Sequence, residues 1–549
     1  MNQPDPPLHQ QVQDRLAKLP QIAELGLDPY GWAFGGVESA QSLRAAAEAA
    51  GVEPGGPPEA VRRRAAGRVV LKRELGSLIF LTIRDRTGDL QVAVSKKAVQ
   101  AGQWRLVGKL IEMNDVIGAA GQLGRTKTGE ITLWASSPPV DGADGEAPAP
   151  GPAARPLFSP VHPDGDDAVV LLCKSLVPPP AKQAAGGFSD TDLRYRQRYI
   201  DLYANPAVKQ TFENRSRLLK FIRDYLTAPA SPEHPYGGFL EVETPVLQSV
   251  YGGAAARPFT THHNALDLDL FLRISPETPL KRLLVGGLER VFEIARNFRN
   301  EGISPRHNPE FTMMELYLAY GDYHDMMQLT EELVSGACAL LNDGQTLVQW
   351  AGRRVDFTAP WDRLRYADLF ARHVGCDMLD ESAVRAAADR LLPPERRATS
   401  DGRPRDTAVL VGDLFEEHCE PAIKAREKAC FILDYPAPLC PLTRRSPADP
   451  RIALRFEAYA AGMEIANAYT ELNDPAIQEQ NFRQQLAGED ETMRVLDDDF
   501  LHALRVGMPP AGGLGLGIDR VAMLLTDSPS IRDVILFPLM RPVSDESVR

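Results

Sequence analysis

At 549 residues, the chain exceeds what one ordinary hydrophobic core organises, and two or three domains are expected. Its 44% hydrophobic and 25% charged content is that of a soluble globular protein. Six cysteines, at 173, 338, 376, 419, 430 and 440 with no C-x-x-C pair, exclude a disulfide scaffold and leave His418-Cys419 as half a metal site at most.

The net charge of −13 conceals an asymmetry. Between Val61 and Ser137, 14 Lys+Arg stand against 6 Asp+Glu. That local excess suits a polyanion, an ordinary solvated surface being the plainer alternative. The N-terminus, MNQPDPPLHQQVQDRLAKLP, has no basic segment leading into an apolar stretch, and no apolar run approaches the roughly 20 residues of a membrane helix. A cytoplasmic protein is expected.

Residues 1–60 read as a helical extension, with QVQDRLAKLPQIAELG and SAQSLRAAAEAAG as its helices. From Arg68 the period changes to two. GRVVLKRELGSLIFLTIRDRTGDLQVAVSKK alternates branched and polar residues, and RTGDL and KTGE mark turns. Short basic strands with turn glycines predict a small antiparallel barrel of the oligonucleotide-binding (OB) type over 61–180. Within it, residues 138–167 contain 12 Pro or Gly in 30 and predict a flexible insertion, because so little apolar surface cannot offset the entropy of ordering. AVVLLCKSLV is then the last barrel strand. Residues 190–549 form a larger α+β domain: helices up to Leu226, mixed strands and helices beyond, and a helical stretch from about 355 to 430.

Three stretches of that domain carry chemistry. VFEIARNFRNEGISPRHNPEFTMMELY, within 291–317, reads as strand, loop, strand. Alternation puts Glu293, Asn297, Arg299 and Glu301 on one face of the first strand, and Phe311, Met313, Glu315 and Tyr317 on one face of the second. An arginine grips phosphate, a ring stacks a base and a carboxylate holds an amine; an exposed hairpin laced with ion pairs is the competing reading. RFEAYAAGMEIANAYTELND, residues 455–474, carries Glu457, Glu464, Asn467 and Glu471 among apolar residues, where carboxylates need a cation. As a helix its last three would share a face; as a strand Glu464 requires a bulge. AGGLGLGIDRVAMLL, from residue 511, matches neither G-x-G-x-x-G nor a P-loop, and reads as a Gly-rich strand leading to a helix that starts with Asp519 and Arg520.

Together these stretches resemble motifs 1, 2 and 3 of the class II aminoacyl-tRNA synthetases, and more closely the bacterial-type lysyl family. GGFLEVETPVL, with Pro245, is similar to motif 1. YGGAAARPFTTHHNALDLDLFLRISPE and MEIANAYTELND resemble segments typical of the lysine enzymes. The resemblance covers about residue 60 to the C-terminus. It implies an N-terminal OB-fold barrel and a six-stranded antiparallel catalytic sheet flanked by helices. It also implies a homodimer through motif 1, with ATP, L-lysine and tRNA(Lys) as substrates and Mg2+ as cofactor. By the same resemblance Arg299, Glu301 and Arg520 are catalytic. ATP binding falls to Arg299, Glu301, Arg306, His307, Phe311 and Arg520, and magnesium to Glu457 and Glu464. Lysine binding falls to Gly253, Glu277, Glu315, Tyr317, Asn467 and Glu471, and anticodon binding to Arg73, Phe80, Gln91 and Glu130.

A neutral side chain in such a pocket would leave Glu471 a buried, unpaired carboxylate at a cost of several kcal/mol, and polar sites of this kind reject unsuitable analogues by about 10⁴-fold. Thr278-Pro279 replaces the usual Leu-Tyr beside Glu277, and Ala466 and Ala468 replace glycines. Rival readings are an aspartyl- or asparaginyl-type enzyme of the same subclass, which Glu471 and Glu315 disfavour, a protein-lysylating paralogue, which the barrel disfavours, and a non-catalytic RNA-binding relic, which the presence of Arg299, Glu464 and Arg520 disfavours.

Overall fold

The computed structural model describes residues 8–136, 167–179, 190–254, 256–399, 402–487 and 496–542. Apart from Asp167, the insertion expected at 138–167 lies outside the described residues. The chain divides into two compact units, Met1–Lys182 and Gln183–Arg549.

In the first unit the alternation seen in the sequence becomes six strands: β1 (Arg62–Leu75), β2 (Leu78–Arg84), β3 (Asp89–Ser95), β4 (Val116–Arg125), β5 (Ile131–Ala135) and β6 (Val169–Cys173). Their order is β1-β2-β3-β5-β4-β6, and β1 also pairs with β4, closing the barrel. Every pairing is antiparallel except β3 with β5. Ile79, Leu81 and Ile83 of β2 enter the core, while Phe80 and Thr82 face outward, the period-two pattern of a half-buried strand. At the turn RTGDL the preceding residue, Asp85, accepts from the backbone N–H of Thr87 at 2.6 Å and tightens the turn. The helices Leu8–Leu16, Lys18–Ala23 and Ala40–Ala49 precede the barrel, and Ile22, Leu43 and Ala47 join its core beside Leu81, Val92 and Leu133.

The second unit contains β7 (Leu240–Glu241), β8 (Leu247–Gln248), β9 (Thr260–His263), β10 (Leu268–Leu272), β11 (Arg290–Phe298), β12 (Glu310–Ala319), β13 (Leu347–Trp350), β14 (Arg353–Asp356), β15 (Asp362–Arg365), β16 (Cys430–Pro436), β17 (Ile452–Ala460), β18 (Met463–Thr470) and β19 (Ala511–Leu516). Its main sheet runs β15-β16-β17-β18-β19-β12-β11-β7. The six inner strands are antiparallel, but the expected six-stranded sheet is extended to eight. β7 and β15 add in parallel at the edges, because each reaches its neighbour through a long crossover rather than a hairpin.

One face of the sheet packs on the helices Pro206–Thr227, Tyr323–Leu341 and Ile518–Leu525. Ile222, Leu333, Met314, Leu316, Leu514 and Val521 meet in that core. The helical stretch beyond 355 builds its own core around Tyr366, Phe370, Leu414 and Phe415. Between β17 and β18 the pairing slips from Ala458↔Ala466 to Tyr459↔Glu464. Residues 455–470 are therefore two strands joined by a tight turn, and the bulge that a strand required is present at Ile465. Among the described residues no helix is long and apolar enough to cross a membrane.

Candidate active site

The sheet face opposite the helical core floors a cavity of about 440 Å³. Alternation along β12 decides which side chains reach it. Met314 and Leu316 go to the core, and Phe311, Met313, Glu315 and Tyr317 line the cavity.

One end is cationic. The Arg299 guanidinium lies over the Phe311 ring, 5.1 Å from its centroid, and its buried Nε has no hydrogen-bond partner. Burial pulls its pKa down, as expected where a charge has lost water and awaits an anion. Across from it Arg520 donates to the Glu464 carbonyl at 2.6 Å and lies 3.2 Å from His307 Nε2. That contact makes Nε2 the acceptor, so the imidazole is neutral with Nδ1 facing Ser304 Oγ at 2.9 Å. Burial and the Arg520 charge hold the His307 pKa below its ordinary value. Arg306 donates to the Gly462 carbonyl at 3.2 Å, and Glu301 stands exposed at the rim.

Both walls around this end share one anchor. Asp519 accepts from the Thr312 backbone N–H at 2.7 Å and pairs with Arg215 of the helix Pro206–Thr227 at 2.5 Å. Arg215 also donates to Thr312 Oγ1 at 3.0 Å.

The other end is acidic. Glu315 accepts from Ser275 Oγ at 2.8 Å and Tyr317 Oη at 3.2 Å; burial, with Glu277 adding to it, pushes its carboxyl up to about 7. Gly253, at φ +86°, brings its backbone so close that a Cβ there would lie 2.9 Å from Glu277 Cβ. Glu277 accepts from Tyr469 Oη at 2.9 Å. Behind them Glu471 is fully buried. Its Oε2 is ion-paired with Lys281 Nζ at 2.5 Å, neither oxygen accepts a hydrogen bond, and Oε1 lies where a Cβ on Gly513 would fall, 1.9 Å away.

Between the two ends, Arg455 orders β17 and β18. It donates to Asn467 Oδ1 at 3.0 Å and to Glu457 at 2.5 Å. Glu457 also accepts from Tyr435 and Tyr459, at 2.9 and 2.7 Å. The bulge at Ile465 lets Glu464 line the same cavity as Glu457.

One cavity thus holds an arginine-rich end, an acidic end and a pair of carboxylates between them, an arrangement suited to an anionic group at one end and a cationic group at the other. The profile described as tRNA synthetases class II (D, K and N) matches residues 190–541, and that described as OB-fold nucleic acid binding domain matches 64–137. The chain belongs to the class II tRNA synthetases. Among its curated relatives, the lysine–tRNA ligase of Pelotomaculum thermopropionicum is 43% identical over 97% of this chain and 96% of its own length. The lysine–tRNA ligase of Moorella thermoacetica is 44% identical over 96% and 97%, and that of Magnetococcus marinus 42% over 97% of each chain.

In this synthetase the candidate residues gather unevenly. Gly253, Glu277, Arg299, Glu301, Arg306, His307, Phe311, Glu315, Tyr317, Glu457, Glu464, Asn467 and Arg520 all line the cavity. Glu471 does not, and it is not the unpaired carboxylate expected, because Lys281 neutralises it. Glu293 and Asn297 also stay out of the cavity. Arg273 Nη1, 2.6 Å away, and Thr244 Oγ1, at 2.7 Å, occupy the carboxylate of Glu293, and Asn297 is enclosed.

Thr278-Pro279 falls in the first turn of the helix Glu277–Val285, where a backbone N–H has no helical partner to lose. The substitution therefore leaves the Glu277–Lys281 pair, 2.5 Å apart, in place. Sequence reasoning missed Lys281, Tyr469, Ser275 and Arg455. Two had a signal: Tyr469 lies between Asn467 and Glu471 on the same strand face, and Lys281 is four residues after Glu277 on a helix.

On the barrel, Arg73 donates to Gln91 Oε1 at 3.2 Å and Gln91 donates to Thr132 Oγ1 at 2.8 Å. Phe80 meets Trp134 edge to face, 6.5 Å between centroids. Glu130 is at the end of the KTGE turn, 3.7 Å from Arg44. Among the described residues no group of three His, Cys, Asp or Glu is placed to hold a metal.

Proposed function

We infer that the chain is a lysine–tRNA ligase that activates L-lysine with ATP and transfers it to the 3′ end of tRNA(Lys), the activity for which its relatives are named. The observation that carries this is the acidic end of the cavity. Glu277, Glu315 and Glu471 converge where an aspartate- or asparagine-specific enzyme would need a cation or an amide.

Arg299 binds the α-phosphate and the lysine carboxylate, its orphaned Nε supplying a donor for charge that grows at the reacting phosphorus. Phe311 and Arg520 enclose the adenine with Glu301 at its edge, and Arg306 and His307 receive the outer phosphates. Gly253 and Glu277 take the α-amino group and Asn467 assists the carboxylate. Tyr317 and Glu315 meet the ε-ammonium, together with the free oxygen of Glu471. The lysine carboxylate is the nucleophile, so positioning and electrostatics suffice and no side chain forms a covalent bond.

Glu457 and Glu464 offer hard oxygen donors on paired strands, the chemistry magnesium uses when phosphates complete its shell. Bound there, the ion supplies neutralisation of phosphate charge. Residues 61–180 read the anticodon through Arg73, Phe80, Gln91 and Glu130, and 190–549 form the catalytic domain. The enzyme acts in the cytoplasm as a homodimer joined through motif 1.

Amino-acid-dependent ATP–pyrophosphate exchange, run without tRNA on all twenty amino acids beside Glu471→Gln, tests the reading. Exchange with lysine alone, collapsing in the variant, is expected. Exchange with aspartate or asparagine would move the assignment within the subclass, and no exchange from folded protein would leave an RNA-binding relic.

A further inference from the structure

The sharpest departure from the expected pocket is a second, internal ammonium. Lys281 is fully buried, and its Nζ lies 2.5 Å from Glu277 Oε1 and 2.5 Å from Glu471 Oε2. The rings of Tyr469 and Tyr317 flank it, their centroids at 5.6 and 6.0 Å. Glu277 and Glu471 belong to separate elements, the helix that opens at Glu277 and the end of β18, and Lys281 is what joins them. Their remaining oxygens point elsewhere: Glu277 Oε2 to Tyr469, and Glu471 Oε1 to no partner.

We propose that Lys281 is a positioning residue of the amino-acid pocket, a fixed counter-charge that clamps Glu277 and Glu471 so the empty site already has the spacing and charge a diammonium substrate requires. The proposal rests on the reading that these carboxylates take the α-amino and ε-ammonium groups. Once ionised, three carboxylates around one fixed ammonium carry two net negative charges, which match the two ammonium groups of lysine. With the clamp in place neither carboxylate has to be assembled by the substrate, and less binding energy is spent on ordering.

Every titratable or charged group packed around Lys281 enters its pH behaviour: Glu277 on its own helix, Glu315 and Tyr317 on β12, Tyr469 and Glu471 on β18 and its end, and Arg299 acting on Glu315. Burial acts to lower the Lys281 pKa, but the two carboxylates outweigh it and raise it. Burial pushes Glu471 upward and Lys281 draws it back. Removing the ammonium therefore leaves Glu471 protonated to higher pH.

The test is the pH profile of the lysine KM in pyrophosphate exchange, for the wild type and for Lys281→Met, Lys281→Gln and Lys281→Arg. In both neutral variants the inflection of log(1/KM) moves up by about one pH unit or more, so the lysine KM near pH 7 rises about tenfold or more, while kcat at saturating lysine stays within about threefold of wild type. Arginine keeps the charge and the wild-type inflection. A loss of packing alone would scale KM equally at every pH, so an unmoved inflection overturns the proposal. Should neither neutral variant fold, Lys281→Arg decides: a displaced inflection or a KM raised more than about tenfold refutes the clamp. Wild type and Glu471→Gln are read first. If lysine exchange is absent, or survives in Glu471→Gln, the pocket reading fails and the clamp with it; if both behave as expected, an unmoved inflection condemns the clamp alone.

Discussion

Replacing Gly513 by alanine adds one methyl group at a crowded point of the acidic end of the cavity. The new Cβ would lie 1.9 Å from Glu471 Oε1, 2.7 Å from Tyr317 Cε1 and 3.0 Å from Glu471 Cδ. Glu471 cannot withdraw freely, because it is fully buried and its other oxygen is held by Lys281. Tyr317, 3% exposed, is equally confined. Overpacking of this kind costs about 1–3 kcal/mol, and pushing the carboxylate off its ammonium adds about 3–5 kcal/mol. If only the smaller part falls on binding, the lysine KM rises about 5- to 150-fold. The ATP KM should stay within about threefold of wild type, because Arg299, Phe311 and Arg520 surround the other end of the cavity. Steady-state pyrophosphate exchange, with lysine and ATP varied in turn, separates the two constants. A folded Gly513→Ala protein with a lysine KM within twofold of wild type would refute the placement of Glu471 against that glycine, and with it the proposed role of Glu471 behind the acidic end of the cavity.

Two further expectations concern pH and the barrel. Glu315 has its pKa raised from 4.5 to about 7 in the fold, so the folded state holds its proton more tightly than the unfolded chain does. Stability therefore falls as pH rises from 4.5 to 7, by up to about 1.4 kcal/mol per unit, and levels off above; urea midpoints across that window should show a shallower fall in Glu315→Gln. Phe80→Ala removes a stacking surface, for which about 1–3 kcal/mol per base is typical. It should weaken tRNA binding in a filter or fluorescence titration and leave tRNA-independent pyrophosphate exchange unchanged; equal loss in both assays would contradict a purely anticodon role.

What the sequence reveals and what it conceals divide along a physical line. Period-two alternation in 311–317 sends Met314 and Leu316 inward and presents Glu315 and Tyr317 to the site, because neighbouring residues of one strand fix that geometry locally. Turn chemistry does the same for RTGDL and KTGE. The strand-or-helix ambiguity of 455–474 needed the pairing partner, since only the register against β17 creates the bulge at Ile465. Glu293 and Asn297 share the right parity and are still excluded. Arg273 and Thr244 claim Glu293 from other parts of the chain, and local pattern carries no trace of that competition. Lys281 is the clearest case: its pairing with Glu277 spans one helical turn, but its pairing with Glu471 spans 190 residues and exists only once the sheet has closed. The edge strand β15 escapes sequence reasoning for a similar reason, being four residues long and held by its neighbour rather than by propensity.

Arg215 gives the cationic end of the cavity a common datum. It grips Thr312, next to Phe311, and Asp519, next to Arg520, and Asp519 in turn ties the Thr312 backbone. The two walls proposed to enclose the adenine are thus referenced to a single side chain on the helix Pro206–Thr227. A small displacement of that helix carries both walls in the same direction, so the slot travels with its width preserved, as the jaws of a vice do when the whole tool is moved along the bench.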